Sequence, residues 1–135
     1  MKIVNVYSLP KERQVKFHAG TSHRILLKSD GMGYTMTRTV IEPGPRVFQH
    51  YKHHLETCLC VSGDAELENA ATGEKFRIRP GDCYILDKND PHYFEAFEET
   101  VLICVFNPPL TGGETHQADG SYSVYGDHLF LPCGA

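Results

Sequence analysis

The sequence predicts an all-β fold, a sandwich or barrel of short strands, and three observations predict it. Apolar residues alternate at period two through the middle of the chain, while helical periodicity is scarce. Turn formers punctuate the alternating stretches at roughly 8–12-residue spacing. Twelve Gly and eight Pro in 135 residues favour many short elements over a few long helices. That length is one domain's worth of chain, and neither an internal repeat nor a linker divides it, so a single domain over residues 1–135 is expected.

Taken in order, Arg24–Leu27, Tyr34–Ile41, Leu55–Ser62 and Ala65–Glu68 read as strands. So do Glu74–Ile78, Asp82–Leu86, His92–Ala96 and Thr100–Phe106. Between them lie Asp30-Gly31, Pro43-Gly44-Pro45, Gly63-Asp64, Thr72-Gly73, Pro80-Gly81 and Lys88-Asn89-Asp90-Pro91. In Leu55–Val61, Glu56, Cys58 and Cys60 share one face, and Leu55, Thr57, Leu59 and Val61 share the other. Both faces are largely apolar, which suits a barrel strand whose outer face is covered, for instance by another subunit. Glu56 is then the odd group, since a lone carboxylate inside a barrel is costly unless a metal or hydrogen-bond donors compensate it.

Several function classes are excluded. A net charge of -4 and a pI near 6.0, with no basic stripe, argue against nucleic-acid binding. The N-terminus lacks the apolar core of a signal peptide, and the longest apolar run, Val101–Phe106, is far short of the ~20 residues of a membrane-spanning helix. Five cysteines form an odd set without a CxxC pair. They read as reduced thiols in a cytoplasmic protein, and each is expected to pack as a small hydrophobe.

Gly44, His50, Glu56 and Gly63 follow the spacing of the first cupin motif, except that Lys52 stands where a second histidine is usual. Gly81, Asp87, Asn89 and His92 resemble the second motif, with Asp in place of the usual Pro and Asn in place of the usual Gly. The chain thus resembles the cupin superfamily, which implies a jelly-roll barrel. If the segment 87–91 joins two antiparallel strands, Leu86 lies opposite His92, and Tyr84 becomes its diagonal neighbour on the same face. Glu56, Tyr84 and His92 then make a three-ligand metal site with open positions. Such an O/O/N set suits Fe(II), Zn(II) or Mn(II) without choosing among them. His50, His53, His54 and Cys58 compete with Tyr84 for the ligand role. The remaining His18, His23 and His128 are expected to be solvent-exposed.

Longer blocks carry a narrower resemblance. The stretches DGMG (Asp30 to Gly33), HYKHHLE (His50 to Glu56) and ATGEKFRIRPG (Ala71 to Gly81) resemble ectoine synthases. So do YILDKNDPHY (Tyr84 to Tyr93), CVFNPPLTGGETH (Cys104 to His116) and DGSY (Asp119 to Tyr122). Together these blocks span roughly residues 22–122, and the run from Phe106 to His116 is the most specific, because a cupin barrel alone does not call for it.

The resemblance implies a cytoplasmic homodimer that cyclises N4-acetyl-L-2,4-diaminobutyrate, with loss of water, to the compatible solute ectoine, a product made under osmotic stress. It implies metal binding by Glu56, Tyr84 and His92, with ferrous iron as the family metal. It implies substrate contacts at Arg24, Thr39, Tyr51, His54, Phe106, Glu114 and His116. Among these, Glu114, His116, Tyr51 and His54 are the candidate catalytic groups, with Glu114 and His116 as general base and acid in an order left open. Arg24 is the candidate seat of the substrate carboxylate.

Two regions depart from the pattern. Residues 1–20 diverge, and Gly20 stands where the family carries a Trp, which leaves Phe17 as a candidate substitute wall. The tail 121–135, with Tyr122, Tyr125, Leu129, Phe130 and Leu131, is unusually apolar, as a lid or an interface would be. Two alternatives follow from these departures. One is a diverged metal cupin acting on a related N-acetylated amino acid or on an oxygen-dependent substrate. The other is a non-catalytic cupin that binds a small metabolite.

Overall fold

The computed structural model describes residues 1–113, and ten strands run through them. They are β1 (Gln14–Phe17), β2 (Gly20–Leu26), β3 (Thr35–Ile41), β4 (Arg46–Gln49) and β5 (Leu55–Ser62). The second half holds β6 (Ala65–Asn69), β7 (Lys75–Ile78), β8 (Cys83–Leu86), β9 (His92–Ala96) and β10 (Thr100–Asn107). Six strands form one antiparallel sheet in the order β1-β2-β3-β10-β5-β8, and four form a second in the order β4-β9-β6-β7. The architecture is that of the cupin jelly roll, and the inner faces of both sheets share one buried cluster.

All eight expected strands are present, and two more appear. β1 is a four-residue edge strand, too short for its alternation to register. β4 escaped for a more instructive reason. Its alternation is inverted: apolar Phe48 is 37% exposed and polar Gln49 only 6%. Phe48 packs outside against Tyr93, while Gln49 turns inward opposite His92. An interior need for a carboxamide thus hides the strand from a hydrophobic count.

One expectation is corrected. The segment 87–91 does not close a hairpin, because β8 pairs with β5 in the larger sheet and β9 pairs with β4 and β6 in the smaller. Leu86 is therefore opposite Glu56 and not His92. Tyr84 and His92 still meet, but across the interior from facing sheets, with ring centroids 6.4 Å apart. A crossover and a hairpin of equal length look alike in sequence, since both need only turn formers.

Two motif positions now have physical reasons. Gly63 has φ +105°, and a Cβ there would lie 2.5 Å from the Glu99 carbonyl oxygen. Asn89, in place of the usual glycine, has φ 51°, a left-handed conformation that Asn tolerates better than most residues. Its carboxamide then donates to the carbonyls of Tyr51 (3.0 Å) and His54 (3.1 Å). The departure from the motif therefore fixes the loop that carries two candidate site residues.

Candidate functional site

Register builds the site. Direct cross-strand pairing puts Arg24 (β2), Thr37 (β3), Cys104 (β10), Cys58 (β5) and Tyr84 (β8) on one rung of the larger sheet. The next rung carries Thr35, Phe106, Glu56 and Leu86. All nine side chains are buried, so both rungs face the interior. The smaller sheet answers with Gln49 and His92, which are paired to each other. Glu56, Cys58 and Cys60 share the inner face as the alternation of β5 predicts. Leu55, Leu59 and Val61 lie exposed on its outer face, with Ile85 of β8 beside them.

At the centre these polar groups lie side by side. Cys58 has Cys104 and Tyr84 as its cross-strand partners, and Cys104 has Thr37 on its other side. One Glu56 oxygen lies within 4.8 Å of both thiol sulfurs. Burial pushes the Glu56 carboxyl well above its ordinary range, and the nearby Cys104 adds to the shift. Burial likewise raises the Cys58 thiol and the Tyr84 phenol. The Cys104 thiol is lowered, chiefly by the neighbouring Cys58 thiol. Glu56 is therefore a buried acid with no cationic partner among these contacts, and a bound cation would reverse its shift.

His92 is a candidate ligand by its hydrogen bonding. Its Nδ1 donates to the Asp90 carbonyl at 2.9 Å, which leaves the Nε2 lone pair facing inward. Burial lowers its pKa and keeps the ring neutral. The Gln49 carboxamide lies 3.2 Å from Nε2, and with Nδ1–H committed the hydrogen-bond pattern calls for the amide NH₂ on that side. A carboxylate, a phenol and a neutral imidazole, the last already oriented through its second nitrogen, fit a divalent cation. A cleft of about 440 Å³ between β7 and β8 reaches Tyr84 and His92, and Asp82, Asp87 and Asp90 line it.

Arg24 is 1% exposed, and its Nη1 donates to the Gly112 carbonyl at 3.1 Å. Among the described residues its Nε and Nη2 have no hydrogen-bond partner, and both are buried. A cation so placed has an unmet need for an anion. Tyr51 sets its ring edge against Phe106, with centroids 5.5 Å apart, and 6.1 Å from that of His92. His54 lies 6.2 Å from Phe106 on another side. Thr39 is fully buried, with its hydroxyl 3.2 Å from that of Thr37.

The interior thus gathers Arg24, Thr39, Tyr51, His54, Glu56, Tyr84, His92 and Phe106. Glu114, His116 and the tail 121–135 lie outside the described residues. The segment before them is anchored, because Leu110 is held by Thr35 (2.7 Å) and by the Lys28 amide (2.8 Å). Of the competing histidines, His53 is exposed, and the half-buried His50 has its ring near exposed Phe48. His18 is exposed as expected, whereas His23 is half-buried with Nδ1 donating to the Arg38 carbonyl. Two interior groups were missed as candidates. Cys104 shares a face with Phe106 by simple alternation, so it was findable. Gln49 was not, for the reason given for β4.

At Gly20 a Cβ would run into the Val40 carbonyl, so no larger side chain fits there without a shift of the β2–β3 pairing. Phe17, its cross-strand partner, packs against the buried cluster.

Known proteins agree with this picture. The sequence model of the ectoine synthase family matches residues 1–125. An L-ectoine synthase of Desulfatibacillum aliphaticivorans is 49% identical over 121 residues, covering 88% of this chain and 93% of that protein. The crystal structure of an ectoine synthase from P. lautus superposes with a TM-score of 0.79 at 35% identity, over 83% of this chain and 81% of that one. The polyketide cyclase RemF from Streptomyces resistomycificus shares the fold, with a TM-score of 0.65 at 19% identity over 78% of each chain. By sequence and by fold, then, the chain belongs to the ectoine synthase family, a family of hydro-lyases.

Proposed function

We propose that this chain carries out the reaction for which its family is named, the cyclising dehydration of N4-acetyl-L-2,4-diaminobutyrate to ectoine. The observation that carries the reading is Arg24, a buried guanidinium with two nitrogens unpartnered among the described residues, in a chamber that also holds the buried carboxyl of Glu56. A substrate with a carboxylate at one end and a carbonyl needing activation at the other meets both needs.

Arg24 takes the carboxylate through a charge-assisted pair. Tyr51, His54 and Phe106 wall the chamber, exclude water and fold the flexible chain so that α-amine and acetyl carbon meet. Thr39 lends a hydroxyl to the polar face. Glu56, Tyr84 and His92 would hold a divalent cation, which would supply Lewis acidity for carbonyl activation; ferrous iron suits this set, and Zn(II) and Mn(II) fit it too. The amine nitrogen bonds to the acetyl carbon, the C–O bond breaks, and the oxygen leaves as water with both amine protons. Glu114 and His116 are the groups we assign to that proton traffic, one accepting and one donating, with Tyr51 and His54 positioned to assist.

The protein works in the cytoplasm as a single cupin domain and as a homodimer. Exposed Leu55, Leu59, Val61 and Ile85 on the outer face of the larger sheet support the dimer. Among the described residues no helix is long and apolar enough to cross a membrane.

The test incubates reduced protein and ferrous iron with the acetylated diamino acid and follows ectoine by NMR. Cyclisation is expected, with loss of both metal and product in Glu56→Ala. A variant that retained ligand affinity while wild type made no product would mark a binding module. Full metal occupancy without product would favour a related N-acetylated amino acid.

A further inference from the structure

The interior holds a second set of metal-ligating atoms. One oxygen of Glu56 and the sulfurs of Cys58 and Cys104 all lie within 4.8 Å of one another, and all three residues are buried. Backbone register enforces the arrangement. Cys58 and Cys104 are direct cross-strand partners, and Glu56 is two residues from Cys58 on the same face. Tyr84, the cross-strand partner of Cys58, stands at the edge of the group. Tetrahedral zinc with bonds of about 2.3 Å to sulfur and 2.0 Å to oxygen needs ligand atoms roughly 3.5–3.8 Å apart. The three atoms need to close by only about 1 Å, within the reach of a χ1 adjustment.

We propose that Cys58, Cys104 and Glu56 form a thiolate site for a soft divalent cation such as Zn(II) or Cd(II), and that this site shares Glu56 with the Glu56–Tyr84–His92 centre. The proposal rests on that centre as the seat of the catalytic ion. Donor softness divides the two sets: oxygen and nitrogen suit iron and manganese, while two sulfurs favour zinc and cadmium. Because one carboxylate serves both, occupancy of the thiolate site takes a ligand from the other. A soft cation thereby displaces the hard one and blocks turnover from inside the chamber.

Cadmium added to reduced apo-protein tests this. One equivalent is expected to raise a thiolate-to-metal charge-transfer absorption, with a cadmium NMR shift reporting two sulfur ligands in the unmodified chain. The absorption should fall by half or more in Cys58→Ser and in Cys104→Ser, and persist in Cys83→Ser, which alters an exposed thiol. It should also persist in His92→Gln, whereas ferrous iron binding should drop at least tenfold in that variant. An absent band, or one unchanged by both interior serine substitutions, overturns the thiolate site. Loss of the band in His92→Gln merges the two sets into one centre and overturns their separation. Undiminished iron binding in His92→Gln strikes instead at the oxygen-and-nitrogen centre, and leaves the cadmium result to stand alone.

Discussion

The two sheets face one chamber with different surfaces. The larger sheet presents Arg24, Thr37, Cys104, Cys58 and Tyr84 on one rung and Glu56 on the next. Apart from Gln49 and His92, the buried inner residues of the smaller sheet are Val47, Ala65, Leu67, Ile78, Phe94 and Ala96. The difference is a division of labour. Buried polar groups cost stability unless they are paired, and the smaller sheet, apolar inside but for Gln49 and His92, adds its hydrophobic gain to that of Ile41, Leu86, Leu102 and Phe106 on the larger. Each wall should then fail in its own way.

The largest effect is expected on the apolar wall. Phe94 is 2% exposed and packs near Tyr84, with ring centroids 6.0 Å apart. Phe94→Ala should cost about 3–5 kcal/mol, a fall in Tm of roughly 10–20 °C, with metal bound per folded molecule unchanged. Calorimetry with metal analysis checks it, and a stable variant that lost its metal would contradict the division. On the polar wall the pattern should invert. Arg24→Met removes a buried charge that makes, among the described residues, one hydrogen bond, to Gly112, so Tm should hold or rise. Turnover of the acetylated diamino acid should fall by about 10–150-fold in kcat/KM. A large drop in Tm with activity intact would make Arg24 a structural strut.

This division was only partly legible in the sequence. The larger sheet showed itself well, because in β3 and β5 polarity or small size alternates with bulk at a period of two, and β10 carries an unbroken apolar run. Glu56 stood out there as the one carboxylate on an inner face. The smaller sheet was harder to read. Its chemistry arrives as one residue per strand, Gln49 on β4 and His92 on β9, and Gln49 erases the alternation that would have revealed its strand. Tyr84 and His92 were paired through a hairpin that does not exist. They meet because two sheets close on one chamber, and local spacing cannot express that fact.

Backbone packing offers a smaller test. β2 and β3 approach so closely at Gly20 that a methyl group would collide with the Val40 carbonyl. Gly20→Ala should cost about 1–3 kcal/mol by overpacking, and should loosen the strand pair that carries Arg24 and Thr39. Urea unfolding measures the loss, and amide exchange in β2 should rise with it. A neutral outcome would mean that the strand pair shifts to admit a larger side chain after all.

The smallest effect contrasts two carboxylates of the same molecule. Asp30 accepts from the Leu27 amide at 2.8 Å, from Arg13 at 2.9 Å and from Lys2 at 3.0 Å. The Leu27 amide, then Arg13 and Lys2, hold its carboxyl below the usual 3.8. Glu56 has thiols for neighbours, and burial holds its carboxyl well above the usual 4.5. The signs of their contributions are therefore opposite. Asp30 stabilises the fold above its ordinary range, and that stability is lost as pH falls and the folded-state carboxyl takes its proton. Glu56 in metal-free protein favours the fold at low pH, and that stability is lost as pH rises through the carboxyl range toward its raised pKa, until a cation compensates the charge. Asp30→Asn should cost about 1–2 kcal/mol at neutral pH, and the gap from wild type should narrow as the solution is acidified below the usual aspartate range. Urea denaturation across a pH series reads this directly. A gap that widened toward acid would mean that Asp30 is held as a neutral group, and its three donors would need another explanation.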